Sequence, residues 1–136
     1  ITQIYQIKMN FDLIEDFPFH YSIKTRWKDM DSFGHVNNAV FLTYIEDARI
    51  TFFKRWNLRS LKKSLIVASI KIDFLSQMQH PSEMIIGQRI SRIGNSSFDI
   101  HSAIYLQGSN KPSAYSVITC VCYDYEKIIR TICHRC

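Results

Sequence analysis

The chain has 136 residues, 46% hydrophobic, 13% aromatic and 21% charged, with only four Gly and three Pro. That is the make-up of one folded domain with a real core, and it excludes a disordered or low-complexity chain. Lys and Arg outnumber Asp and Glu by 17 to 12, a scattered excess that suits a polyanionic partner, whether nucleic acid or the phosphates of a nucleotide cofactor.

Residues 1–8 lack the charged head, apolar middle and small-residue cleavage site of a signal peptide. They read as sequence upstream of the patterned region, which Met9 just precedes. No stretch reaches the ~18 uninterrupted apolar residues that a membrane span needs. From 19 to 27 the pattern alternates: Phe19, Tyr21, Ile23, Thr25 and Trp27 fall on one face of a strand, and His20, Ser22, Lys24 and Arg26 on the other. Lys28 to His35 is polar and holds Gly34, so it reads as a loop.

From Asn38 the period turns helical. Phe41, Tyr44, Ile45, Ala48 and Phe52 recur at helical spacing and form one apolar stripe. Asn37 or Asn38 supplies the N-cap, Lys54 and Arg55 fall near the end where cations are favoured, and the helix closes near Trp56 to Leu58. Strands follow at 65–75, 83–93, 97–106 and 113–125, joined by His80-Pro81-Ser82, Gly94-Asn95-Ser96 and Gly108-Ser109-Asn110-Lys111-Pro112. Short joins imply antiparallel pairing. The expected architecture is α+β, one long helix wrapped by a five-stranded antiparallel sheet in the order β-α-β-β-β-β. A single domain spans 17–126, between extensions 1–16 and 127–136. Open sheet edges in such a plan invite a second copy.

Cys120 and Cys122 lie in a strand and read as small buried hydrophobes; Cys133 and Cys136 flank His134 in a polar tail. We expect no zinc site, and a reduced, cytoplasmic setting.

The densest set of functional side chains runs from Arg26 to Asn38 and ends at the helix start. First-turn amides have no internal partner and carry partial positive charge, so they suit a developing oxyanion. A carboxylate held just upstream on a glycine-containing loop can face the same spot, and Asp31 is seven residues ahead of Asn38. Carboxylate plus preorganised amide is the minimum kit for acyl transfer. Taken singly, Asp29, Asp31 and Ser32 also read as turn residues bonding their own backbone, the two Asn as caps and His35 as a loop histidine.

The segment Arg26-Trp27-Lys28-Asp29-Met30-Asp31-Ser32-Phe33-Gly34-His35-Val36-Asn37-Asn38, with Tyr44 and Glu46-Asp47-Ala48-Arg49 after it, resembles the 4-hydroxybenzoyl-CoA thioesterase-like branch of the hotdog superfamily. Stretches 67–75 and 92–98 fit as well, whereas the turn 76–82 and the end 128–136 depart from that pattern. The resemblance implies a hotdog fold and hydrolysis of an acyl-CoA thioester. It implies Asp31 as general base or nucleophile, and the Asn38 backbone amide as the group polarising the carbonyl. His35, Gly34 and Asn37 would line the site, and Asp29 would structure the loop. A thioester is electrophilic and its thiolate leaves easily, so one carboxylate and one amide can suffice. No metal or bound cofactor is then required, and coenzyme A enters only as part of the substrate. Arg92, Ser96 and Ser97 are candidates for its phosphates, with Lys62 and Lys63 behind; each also reads as an ordinary surface charge or turn hydroxyl. Glu46 is the reserve carboxylate, although at i, i+3 from Arg49 it can simply pair with it. The partners expected are acyl-CoA and further copies of the chain, as a homodimer or homotetramer. Acyl groups on acyl carrier protein, or non-catalytic acyl binding, are the rival readings. Nucleic acid is not expected, because the aromatics fall on core stripes.

Overall fold

The computed structural model describes residues 13–56, 63–125 and 127–131. Chain order is β1 (Phe19–Lys24), α1 (Asn38–Phe53), β2 (Lys63–Phe74), β3 (Glu83–Ile93), β4 (Ser97–Leu106), β5 (Pro112–Asp124) and β6 (Ile129–Arg130), with short 3-10 turns at Ile14–Asp16, Trp27–Asp29 and Lys54–Trp56. All pairings are antiparallel, and the strand order across the sheet is β1-β3-β4-β5-β2. This is the α+β hotdog arrangement that the resemblance implies. The two-residue β6 lies in the extension expected to carry no strand; it pairs with β5 through Tyr123 and Asp124.

The stripe read from the helix is the face that is buried. Phe41, Tyr44, Ile45, Ala48 and Phe52 are each 6% exposed or less. They meet the alternate residues Met84 and Ile86 of β3, Phe98, Ile100 and Ile104 of β4, and Ala114, Ile118 and Cys120 of β5. The two periods, 3.6 and 2, therefore converge on one core. A buried polar side chain crosses it: Gln88 donates to the Ile45 carbonyl at 3.3 Å and to the Ser102 hydroxyl at 3.0 Å, which fixes the middle of the helix over β3 and β4.

Several boundaries differ from the expectation. β1 stops at Lys24, and Trp27, placed on its apolar face by alternation, is 81% exposed. The reason is local: the Asp29 carboxylate accepts the Arg26 amide at 2.9 Å, and the chain closes into a 3-10 turn that swings Trp27 outward. α1 has 16 residues and runs into the 3-10 turn Lys54–Trp56; its expected end at Leu58, like Lys62, lies outside the described residues. So do Cys133, His134 and Cys136. Cys120 and Cys122 are buried, but Cys122 is disulfide-bonded, which is more than a small hydrophobe does. No helix among the described residues is long and apolar enough to cross a membrane.

Ala48, fully buried between helix and sheet, leaves no room for a longer side chain. Ala48→Leu is expected to destabilise the fold by about 1–3 kcal/mol through overpacking, seen as a lower urea midpoint at an unchanged slope.

Candidate active site

The site begins where β1 ends. Thr25 donates its amide to the Ser82 carbonyl at 3.0 Å, and its hydroxyl lies 2.8 Å from His80 Nδ1, so the strand end is tied to the 75–82 connection. Asp29 then collects donors from two directions. The Arg26 guanidinium reaches Oδ1 through Nη2 at 2.9 Å and Nε at 3.2 Å, the Arg26 amide reaches Oδ2, and the Tyr44 hydroxyl of α1 donates to Oδ2 at 2.6 Å. Asp29 is 2% exposed. Burial pushes its carboxyl up, but the bonds from Arg26 and Tyr44 outweigh that and hold it below the ordinary carboxylate range. Burial, and next the bond to Asp29, push the Tyr44 phenol well above its ordinary value.

From Asp29 the loop doubles back on itself. The Asn37 amide donates to the Asp29 carbonyl at 2.9 Å, Met30 and Val36 form an isolated antiparallel bridge, and the Asp31 amide donates to the His35 carbonyl at 2.7 Å. Val36 is also held from outside by the Met78 carbonyl at 2.7 Å. The return is tight because Gly34 sits at φ +83°, a backbone conformation that costs residues with a Cβ about 1–2 kcal/mol.

At the tip, Asp31 Oδ1 accepts the amides of Phe33 at 2.8 Å and His35 at 3.1 Å. The His35 amide lowers the Asp31 carboxyl; burial opposes it, the Phe33 amide adds to it, and the net is below the ordinary range. Asp31 is thus an ionised carboxylate anchored by one oxygen, while Oδ2 has no hydrogen-bond partner among the described residues. The turn role and the free oxygen coexist in one side chain. His35 is half-buried, and its ring makes no hydrogen bond among the described residues.

The helix start resolves the choice of cap. Asn37 Oδ1 accepts the Ala39 amide at 3.0 Å and the Asn37 carbonyl accepts the Val40 amide at 2.9 Å. Of the first three amides of α1, the one left without a partner among the described residues is that of Asn38. Asn37 is therefore engaged as cap, and Asn38 presents its main chain.

The remaining candidates are elsewhere. Glu46 is exposed, 3.7 Å from Arg49, and lies about 12 Å along the helix from Asn38 at 1.5 Å per residue. Arg92 is taken up by Asp99 through two bonds of 2.9 and 3.0 Å, and by the Ser97 hydroxyl at 3.0 Å; Thr119 also donates to Asp99, at 2.8 Å. Arg92 and Ser97 do come together, but on a carboxylate, and the Ser96 carbonyl accepts the Cys122 amide. Lys63 begins β2. Arg26 and Tyr44 stand within the motif, but sequence reading assigned neither of them a role in the site. Tyr44 carried a usable signal, since a buried tyrosine hydroxyl needs a partner, but nothing in the sequence said which. Among the described residues, no group of three or more His, Cys, Asp or Glu is placed to hold a metal ion.

The sequence profile of the thioesterase-like superfamily matches residues 25–133. A Bacillus subtilis (strain 168) protein, YsmA, is 36% identical over 87 residues; the match covers 62% of this chain and 59% of that relative's length. Among solved structures, the PA5185 protein of Pseudomonas aeruginosa strain PAO1 superposes with a TM-score of 0.82 at 25% identity, covering 90% of this chain and 87% of its own. A Thermus thermophilus thioesterase solved with coenzyme A and zinc superposes at 0.77 with 29% identity, covering 88% of each chain. A 1,4-dihydroxy-2-naphthoyl-CoA thioesterase from Synechocystis shares the fold at 0.77 with 19% identity, covering 85% of this chain and 89% of its own.

A carboxyl whose pKa is lower folded than unfolded stabilises the fold fully above the unfolded value; that contribution is lost as pH falls through the folded one. Asp29 shifts in that direction. In urea titrations the stability gap between wild type and Asp29→Asn is therefore expected to be full at pH 7 and to narrow below about pH 4. A gap constant down to about pH 3 would mean that Asp29 is not an ionised partner of Arg26.

Proposed function

This chain belongs to the thioesterase-like superfamily, and from that premise we propose that it is an acyl-CoA thioesterase, hydrolysing the thioester to a free acid and coenzyme A with Asp31 as the reacting carboxylate. One observation carries the reading: an ionised carboxylate with one oxygen anchored and the other unpartnered, on a loop that leads straight to a helix whose Asn38 amide is also unpartnered among the described residues. That pairs a group able to attack or activate water with a donor for the oxyanion.

In the covalent route, Asp31 Oδ2 attacks the thioester carbon, the C–S bond breaks and the thiolate of coenzyme A leaves. Water then opens the mixed anhydride, releasing the acid and returning the carboxylate. In the general-base route Asp31 takes a proton from the attacking water. Coenzyme A as carrier is supported by the Thermus thioesterase solved with it. A homodimer or homotetramer is supported by the outer positions of β1 and β2, each of which has one backbone edge unpaired among the described strands. Arg92 is the weaker part of the substrate reading, because a phosphate would have to compete with Asp99 for its guanidinium.

The test is hydrolysis of short, long and aromatic acyl-CoAs by wild type and by Asp31→Asn. Wild-type turnover with a loss of roughly 10²–10⁴-fold in the folded variant is expected. Turnover of acyl groups only from acyl carrier protein would move the carrier, and binding without turnover of either would make this an acyl-binding dimer. Activity that survives the substitution would shift the chemistry to Glu46.

A further inference from the structure

We infer that Tyr44 and Asp29 are positioning residues for this reaction: their buried hydrogen bond couples the helix that presents the Asn38 amide to the loop that carries Asp31. The inference rests on the thioesterase reading above and adds what holds its two reacting parts in register.

Asp31 and the Asn38 amide belong to different local structures, a loop tip and a helix start. Acyl transfer requires them to keep a fixed spacing, because an error of about 1 Å can cost roughly a hundredfold in rate. The loop's own bonds, the Met30–Val36 bridge and the Asp31 amide to His35, fix its shape. The Val36 amide ties it to Met78, in the connection before β3. Val36 and Met30 join the core around Phe41 and Tyr44 by apolar packing, but none of these hydrogen bonds reaches the body of the helix. Beyond the chain itself at Asn37, the hydrogen bond that does so among the described residues is that of Tyr44, whose hydroxyl is 2.6 Å from Asp29 Oδ2 and which is 1% exposed. Tyr44 lies in the second turn of α1, locked in the core beside Phe41. Asp29 stands two residues before Asp31, and its carbonyl accepts the amide of Asn37, the cap of the same helix. The Asp29 carboxylate therefore joins the strand end through Arg26 to the helix through Tyr44, while its main chain grips the end of the loop. A buried carboxylate tolerates little displacement, because each lost donor exposes an uncompensated charge.

The test uses Tyr44→Phe, which removes only the hydroxyl, and Asp29→Asn, which keeps the shape, each in the full chain. Two readouts are followed: steady-state kinetics on an acyl-CoA the wild type turns over, and amide hydrogen exchange by NMR. In both folded variants kcat is expected to fall roughly ten- to a hundredfold with KM little changed, the pattern of an interaction needed in the transition state. The Phe33, His35 and Asn37 amides, bonded to Asp31 and Asp29, should exchange faster, while those of Ile100 and Ile104 in β4 should not. A variant that loses thermal stability but keeps kcat and slow loop exchange would overturn the inference and leave the bond a plain core contact. If the wild type hydrolyses no acyl-CoA, the functional reading falls by itself. Exchange at the three loop amides then decides alone, faster exchange sustaining the coupling and unchanged exchange removing it.

Discussion

The structure turns on one buried charge. Taking the Asp29 carboxylate out of water is costly unless donors replace the lost hydration, and here they come from the end of β1 and from the second turn of α1. Arg26 keeps its guanidinium half in solvent, so desolvation falls mainly on the carboxylate side of the ion pair. Satisfying Asp29 forces the chain between β1 and α1 into a single path. It turns Trp27 outward, ends the strand at Lys24 and sends Met30 to face Val36. The loop geometry follows from that requirement more than from any propensity of its own residues.

The same helix serves two purposes that do not compete. Its apolar face closes the core against β3, β4 and β5 from Phe41 onward, and the exposed Asn38 and Ala39 at its start lie outside that core. A helix pinned along its length by Ile45, Ala48 and Phe52, and by the Gln88 bond to the Ile45 carbonyl, cannot easily move its end. An oxyanion donor benefits from that rigidity, because a preorganised dipole costs nothing to reorient during the reaction. The core is thus part of the functional argument as well as the source of stability.

Charge behaves differently from its count in the sequence. A net +5 suggested spare cations for phosphate, yet Arg92 is committed to Asp99 and Ser97, and Arg26 to Asp29. Side chains with five donors in a rigid fork satisfy a neighbouring carboxylate first, so a count of basic residues says little about which remain available.

What the sequence by itself determined is whatever depends on period and on neighbours in the chain. The helical stripe from Phe41 to Phe52, the strand runs of β3 to β5 between their turn residues, and the polar, glycine-containing loop before Asn38 are all local signals, and each stands where its pattern puts it. That a carboxylate-bearing loop leads into the helix start was legible because both sit within one short run of the chain, Arg26 to Asn38. What only the tertiary structure decided is what depends on who meets whom across the fold. Which Asn caps the helix, which oxygen of Asp31 accepts the loop amides, and what Arg92 binds were not written in any window of sequence. Neither was the bond from Tyr44 to Asp29, fifteen residues apart. Helical period placed Tyr44 in the core, but a hydroxyl's partner is chosen by packing, and packing is settled only when all the elements close on one another at once.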